Sequence, residues 1–181
     1  MKKLIRIWIL LMIPGVFAAG CVYVAFQQTQ REGANAPAAV AAKQAAFELA
    51  DGKAPAQALP AATDMSATIT PFVMVFDGSG KLIASSADDL IGKYTYPAGC
   101  LAQIDKAGEV RVTWQPAPGL RFATVGVKSA DGCYVVGAYS LSESERATDN
   151  FTGALLIGCA LYALGCAALL FLYYLVFMRK R

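Results

Sequence analysis

The chain has 181 residues, of which 56 % are hydrophobic and 16 % charged, with sixteen Lys/Arg, thirteen Asp/Glu and no histidine. The missing histidine takes away the commonest general base and a usual zinc ligand. The net charge of +3 comes from six basic residues at the two ends, with no basic stripe carrying interleaved aromatics between them, so nucleic acid is not expected as a partner.

Two uncharged apolar stretches frame the sequence. Residues 8–26 and 151–178 are each long enough, at about 1.5 Å per residue, to cross a hydrocarbon core roughly 30 Å thick. Lys2, Lys3 and Arg6 sit in the first seven residues, and Arg179, Lys180 and Arg181 form the 179–181 tail. Basic residues beside a span stay cytoplasmic. Both termini are therefore expected inside a plasma membrane, with residues 27–150 outside it. That middle segment holds ten Lys/Arg against thirteen Asp/Glu, a net charge of −3. Two other readings of the first stretch stand beside an uncleaved anchor. Ala18-Ala19-Gly20 also fits a signal-peptide cleavage site, and with Cys21 it resembles a degenerate lipoprotein box. Val22–Phe26 stays apolar, which favours the anchor. Pro14-Gly15 falls within this stretch and is expected to kink it.

Gln27–Glu32 should continue the first helix outward until Gly33, Asn35 and Pro37 interrupt it. Pro37 then suits the first turn of a second helix, Ala38–Ala50, closed by Asp51-Gly52. Pro55 and Pro60 mark an irregular connection. Phe72–Phe76 is an unbroken apolar run of strand length, which suggests burial on both faces. Asp77-Gly78-Ser79-Gly80 is turn chemistry, and Lys81–Ser85 returns as the second strand of a hairpin. Asp88-Asp89-Leu90-Ile91-Gly92-Lys93 leaves it, and a loop through Tyr94, Tyr96 and Pro97 leads to a short helix near Cys100–Lys106.

Three further strands follow. Glu109–Trp114 alternates, with Val110, Val112 and Trp114 on one face and Glu109, Arg111 and Thr113 on the other. Gln115–Gly119 reads as a tight connection, Leu120–Lys128 as a strand, Ser129–Gly132 as a turn and Cys133–Ser140 as the last strand. Ser142 and Glu145 fit a capping box. The helix it starts should run through Asp149 and join the second span as a stiff connector. Within that span Ala154, Gly158, Leu161, Gly165 and Ala168 recur every three or four residues, a stripe where another helix can approach closely. Its partner could be the chain's own first span, a second copy or another membrane protein. Asn150-Phe151-Thr152 has the form of a glycosylation sequon but abuts the bilayer.

The pattern 73–85, Val-Met-Val-Phe-Asp-Gly-Ser-Gly-Lys-Leu-Ile-Ala-Ser, followed by Leu90-Ile91-Gly92-Lys93, resembles the opening hairpin of Cache domains. These are extracytoplasmic relatives of the PAS fold found in bacterial sensors. The helix-first order and the flanking spans match as well, and the resemblance covers roughly residues 38–148. It implies an α+β fold: an antiparallel PAS/Cache-like sheet with flanking helices, held between two transmembrane helices in a bacterial plasma membrane. It also implies a small extracellular ligand over the sheet, with a shift passed through the terminal helices. Only Arg179–Arg181 follow the second span, so no kinase, cyclase or chemoreceptor module is expected in the chain. The output is expected to lie in a membrane partner or a homodimer.

Tyr94, Tyr96, Arg111, Trp114, Arg121 and Tyr134 are the candidate ligand contacts, since aromatics supply area and arginine can hold a carboxylate. The opposing expectation places Trp114 in the core and the arginines in solvent. Cys100 and Cys133, the two cysteines outside the spans, could form a disulfide worth roughly 3–4 kcal/mol. Cys21, Cys159 and Cys166 suit apolar packing in the spans. No phosphate loop or credible carboxylate pair is present, and Ser85 and Ser86 lack an evident activating partner. No enzyme, cofactor or metal is expected. Two functions follow: an accessory sensory or ligand-binding subunit, or a non-enzymatic envelope interaction protein with the same fold and a filled sheet face.

Overall fold

A computed structural model describes residues 2–62, 64, 70–87 and 93–178. It divides into two compact units, one of Met1–Thr29 with Arg146–Arg181 and one of Gln30–Glu145. The helices are α1 (Lys2–Ala50), α2 (Ala98–Ala107) and α3 (Ser142–Tyr173), the last followed by a π-helical turn, Tyr174–Met178. The strands are β1 (Phe72–Phe76), β2 (Leu82–Ser85), β3 (Glu109–Ala117), β4 (Leu120–Lys128) and β5 (Tyr134–Ser140). The fold is thus α+β, and both α1 and α3 contain stretches long and apolar enough to span a membrane.

The expected break at Gly33–Pro37 does not occur, because α1 is one helix from Lys2 to Ala50. A proline inside a helix forgoes one hydrogen bond and crowds the carbonyl four residues back, a penalty of about 3 kcal/mol. Packing offsets it here. Ala34, Ala38, Ala42, Ala45 and Leu49 recur at three- and four-residue spacing and are all nearly inaccessible. They form one buried stripe, so the helix is held by tertiary contact through the weak point. Pro37→Ala should then raise the thermal stability of the Gln30–Glu145 unit, by up to about 3 kcal/mol; a lower melting temperature would show that the helix depends on proline geometry. The end of α1 comes where expected. Gly52 takes φ 86°, and its N–H donates to the Leu49 carbonyl at 3.0 Å.

The five strands form one antiparallel sheet in the order β2-β1-β5-β4-β3. Strand alternation splits the apolar residues into two cores. One face carries Phe72, Met74, Phe76, Val110, Trp114, Phe122 and Val136, and packs against Leu101 and Ile104 of α2. The other carries Val73, Val75, Val127 and Val135, under Ala42, Ala45 and Leu49 of α1. β1 is therefore buried at all five positions, as its unbroken apolar run implies. On this second face Gly137 lets two backbones meet: a Cβ there would lie 2.1 Å from the Ala38 carbonyl oxygen. Lys43 Nζ to Glu109 Oε2 at 2.8 Å and Ser129 Oγ, donating to the Ala46 carbonyl at 2.9 Å, fasten α1 at the margins.

A strand boundary and a helix cap differ from the sequence expectation. Residues 115–117, expected in a connection, belong to β3, and only Pro118-Gly119 turns the chain. β3 is an edge strand with a register shift between Trp114 and Ala117, so Pro116 can be accommodated without disrupting a central ladder. The capping box also gives way to another arrangement. The Ser142 N–H donates to Ser140 Oγ at 3.3 Å, and the Glu145 carboxylate is taken by Arg121.

In the first unit α1 and α3 exchange hydrogen bonds. Trp8 Nε1 donates to the Ala163 carbonyl and Tyr162 Oη to the Leu11 carbonyl, each at 3.0 Å. The Tyr162 ring fills the space over Gly15, where a Cβ would lie 2.5 Å from Cε1. Phe26 and Phe151 stack at 4.1 Å between centroids. The first apolar stretch thus pairs with the second within one chain. Residues 179–181 lie outside the described residues.

Candidate functional site

The six candidate ligand contacts do not converge. Tyr96 and Trp114 lie edge to face at 5.5 Å, 5 % exposed each, and join Phe76 and Phe122 in the core under the first sheet face. Thr124, wholly buried, donates its hydroxyl proton to the Val112 carbonyl at 3.0 Å. Its remaining lone pair therefore accepts from Tyr96 Oη, 3.1 Å away. Burial pushes the Tyr96 phenol up to about 12. This tyrosine is a neutral packing residue at any physiological pH.

Tyr94 is half-buried at the edge of the same core, with Lys93 Nζ 5.3 Å from its ring centroid. Asp88–Gly92, which carry much of the motif's exit, lie outside the described residues. Arg111 points to the opposite face of the sheet and pairs with Glu109 at 2.7 Å. Arg121 is exposed and pairs with Glu145. Neither guanidinium accompanies the aromatics, so no carboxylate clamp is assembled from these residues.

Tyr134 belongs to a cluster that the sequence reading missed. Asp105 of α2 accepts from Tyr134 Oη and from Lys128 Nζ, each at 2.6 Å, while Lys128 stands over the Tyr134 ring. Both hydrogen bonds favour the ionised Asp105, with Lys128 first, and hold its carboxyl below the usual range. The cluster clips α2 to the β4–β5 end of the sheet. A signal was present: the turn at Ser129–Gly132 makes Lys128 and Tyr134 opposite partners in a hairpin.

The candidate Cys100–Cys133 disulfide is not formed, and both thiols are free. Cys100 packs with the α2 core and Cys133 with the α1 core, so the sheet lies between them. Burial, then the Asp131 charge, pushes the Cys133 thiol up, which makes it a poor nucleophile at neutral pH. Ser86, buried, accepts from the Val73 N–H at 2.9 Å and closes the β1–β2 hairpin. Ser85 Oγ accepts from the Ala87 N–H at 3.1 Å. Both hydroxyls thus have structural partners. Among the described residues no group of three or more His, Cys, Asp or Glu could hold a metal ion.

The Asp77 turn is built as its sequence suggests. Asp77 Oδ1 accepts from Ser79 Oγ at 2.6 Å, the Ser79 N–H at 2.9 Å and the Lys81 N–H at 3.0 Å, and Gly80 takes φ 84°. These bonds, Ser79 first, lower the Asp77 pKa. A carboxylate more acidic in the folded state stabilises the protein above its unfolded pKa, and that contribution is lost as pH falls through the lowered folded value. Asp77→Asn should therefore flatten the acid limb of the stability curve below about pH 4 in a denaturation series. An acid limb of unchanged slope would show that Asp77 contributes nothing to it.

The small-residue stripe of α3 faces away from α1. Ala154, Gly158, Leu161, Gly165 and Ala168 are all exposed, and a Cβ at Gly158 or Gly165 would meet nothing within 4 Å. The chain's own first span is accordingly not the partner of this stripe. No family model, curated protein or solved structure matches this chain.

Proposed function

We propose that the chain is a membrane-anchored, Cache-like (PAS-like) extracytoplasmic domain that works by engaging another membrane protein, without catalysis and without enclosing a small ligand. The filled sheet face carries this reading: Phe76, Tyr96, Trp114 and Phe122 occupy the side where a ligand was expected. The basic residues at both ends and the acidic middle segment support a localisation with the sheet unit outside a bacterial plasma membrane. The hairpin with its Asp77 turn, together with the helix-first order, supports the Cache-like assignment. The outward stripe of α3 is the surface offered to the partner's helix, because small residues let backbones approach closely in lipid.

The two functions expected from the sequence separate in one experiment on the full-length protein. Crosslinking in intact cells, followed by purification and mass spectrometry, should yield one near-stoichiometric membrane partner. Gly158→Leu with Gly165→Leu should abolish its recovery while leaving the protein in the membrane. Recovery unchanged by the double substitution would remove α3 from the contact. A small-molecule library that shifts the melting temperature of the parent, but not of a Tyr94→Ala variant, would restore the ligand-binding reading.

A further inference from the structure

We propose that a groove between the two apolar helices seats one acyl chain of an anionic phospholipid from the bilayer; this rests on the same membrane reading. The groove has a cavity volume of ≈ 360 Å³, a size typical of ligand-holding clefts. Its walls are Leu4, Ile5 and Trp8 of α1 and Leu170, Phe171 and Tyr174 of α3, and a small residue, Ala167, helps line it. The single polar hydrogen of Trp8 is already given to the Ala163 carbonyl, so it makes no demand on an occupant. At Tyr174 the helix passes into its π-helical turn, an irregularity often found at functional positions. Trp and Tyr at such a mouth are typical of the membrane–water boundary. An apolar slot at this depth is suited to hydrocarbon.

Charge selects the headgroup. No Asp or Glu occurs among residues 1–31 or 150–181, while Lys3 and Arg6 stand exposed on the same turns of α1 that line the groove. At 100° per residue they lie on the far side of the helix from Leu4 and Trp8. A helix is about 10 Å across and the Debye length is roughly 8–10 Å, so their field at the groove mouth is attenuated, with no acidic side chain on either apolar stretch to oppose it. Juxtamembrane Lys and Arg draw in anionic lipid, each by roughly five-fold at most.

Quenching of Trp8 by brominated acyl chains tests the assignment. Full-length protein is placed in phosphatidylcholine vesicles containing a minor fraction of either brominated phosphatidylglycerol or brominated phosphatidylcholine. The chain's other tryptophan, Trp114, is buried in the sheet core, and a Trp8→Phe variant measures its background. The expected result is several-fold stronger Trp8 quenching by the brominated anionic lipid at equal mole fraction. Ala167→Phe should remove that excess by filling the groove, and Lys3→Gln with Arg6→Gln should equalise the two lipids. Equal quenching in the parent protein, or an excess that survives either set of substitutions, overturns the proposal. If neither lipid quenches, the membrane reading itself is at fault. The lipids retained by the purified parent give a readout independent of the variants: anionic phospholipid enriched over its share of the membrane supports the site, and bulk composition contradicts it.

Discussion

Gly137→Ala should cost about 3 kcal/mol or more, at or above the top of the usual range for overpacking. The added Cβ would lie 2.1 Å from the Ala38 carbonyl oxygen and 2.9 Å from the Ala42 nitrogen. Both obstacles are backbone, and both belong to a stretch of helix held from Ala34 to Leu49 by five buried side chains. Neither can rotate aside, so α1 must lift off β5 as a body. The comparison substitution is Gly126→Ala. There the Cβ would meet Ile104 Cδ1 at 2.6 Å, the free end of a flexible side chain. Rotation of Ile104 should limit that loss to about 1 kcal/mol. Thermal unfolding of the two variants side by side checks the account. Similar losses would mean that α1 is held less rigidly against the sheet than its burial implies.

Trp114→Ala should cost about 3–5 kcal/mol, the loss expected for emptying a large aromatic site in a core. Trp114 contacts Tyr96 and Phe122 and is 5 % exposed. By contrast Arg111→Ala and Arg121→Ala should each stay within about 1 kcal/mol of the parent, as for exposed ion pairs. Denaturant unfolding of the three variants separates a core from a binding site. A tryptophan kept for a ligand would be removable at little cost to the empty protein, so a loss below about 1 kcal/mol would return Trp114 to the list of binding residues.

Legibility of this fold in the sequence varied with how local the cause was. The β1 strand, the Asp77 turn and the alternation of β3 come from neighbouring residues, and all three stand as the sequence implies. The continuity of α1 was not legible, because what carries it past Pro37 is a sheet that follows in the chain. In the same helix the larger apolar residues Val40 and Phe47 are 70 % and 68 % exposed, while the alanines form the buried stripe. Only the backbone contact at Gly137 explains why small side chains are wanted there. Cys100 and Cys133 could not be placed on opposite faces without knowing the sheet order. For the site, Trp114 could be assigned to the core from its strand period, whereas the destinations of Arg111 and Arg121 depend on Glu109 and Glu145.

The proposed contact of α3 with a partner through the face bearing Gly158 and Gly165 is tested by site-specific photocrosslinking in intact membranes, with the probe placed in turn at Gly158, Gly165 and Ala160. All three positions are exposed, and Ala160 lies well round the helix from the stripe. A discrete protein adduct is expected from Gly158 and Gly165, of the same partner in each case, and none from Ala160. Adducts of equal yield from all three positions, or none from the two glycines, would contradict it.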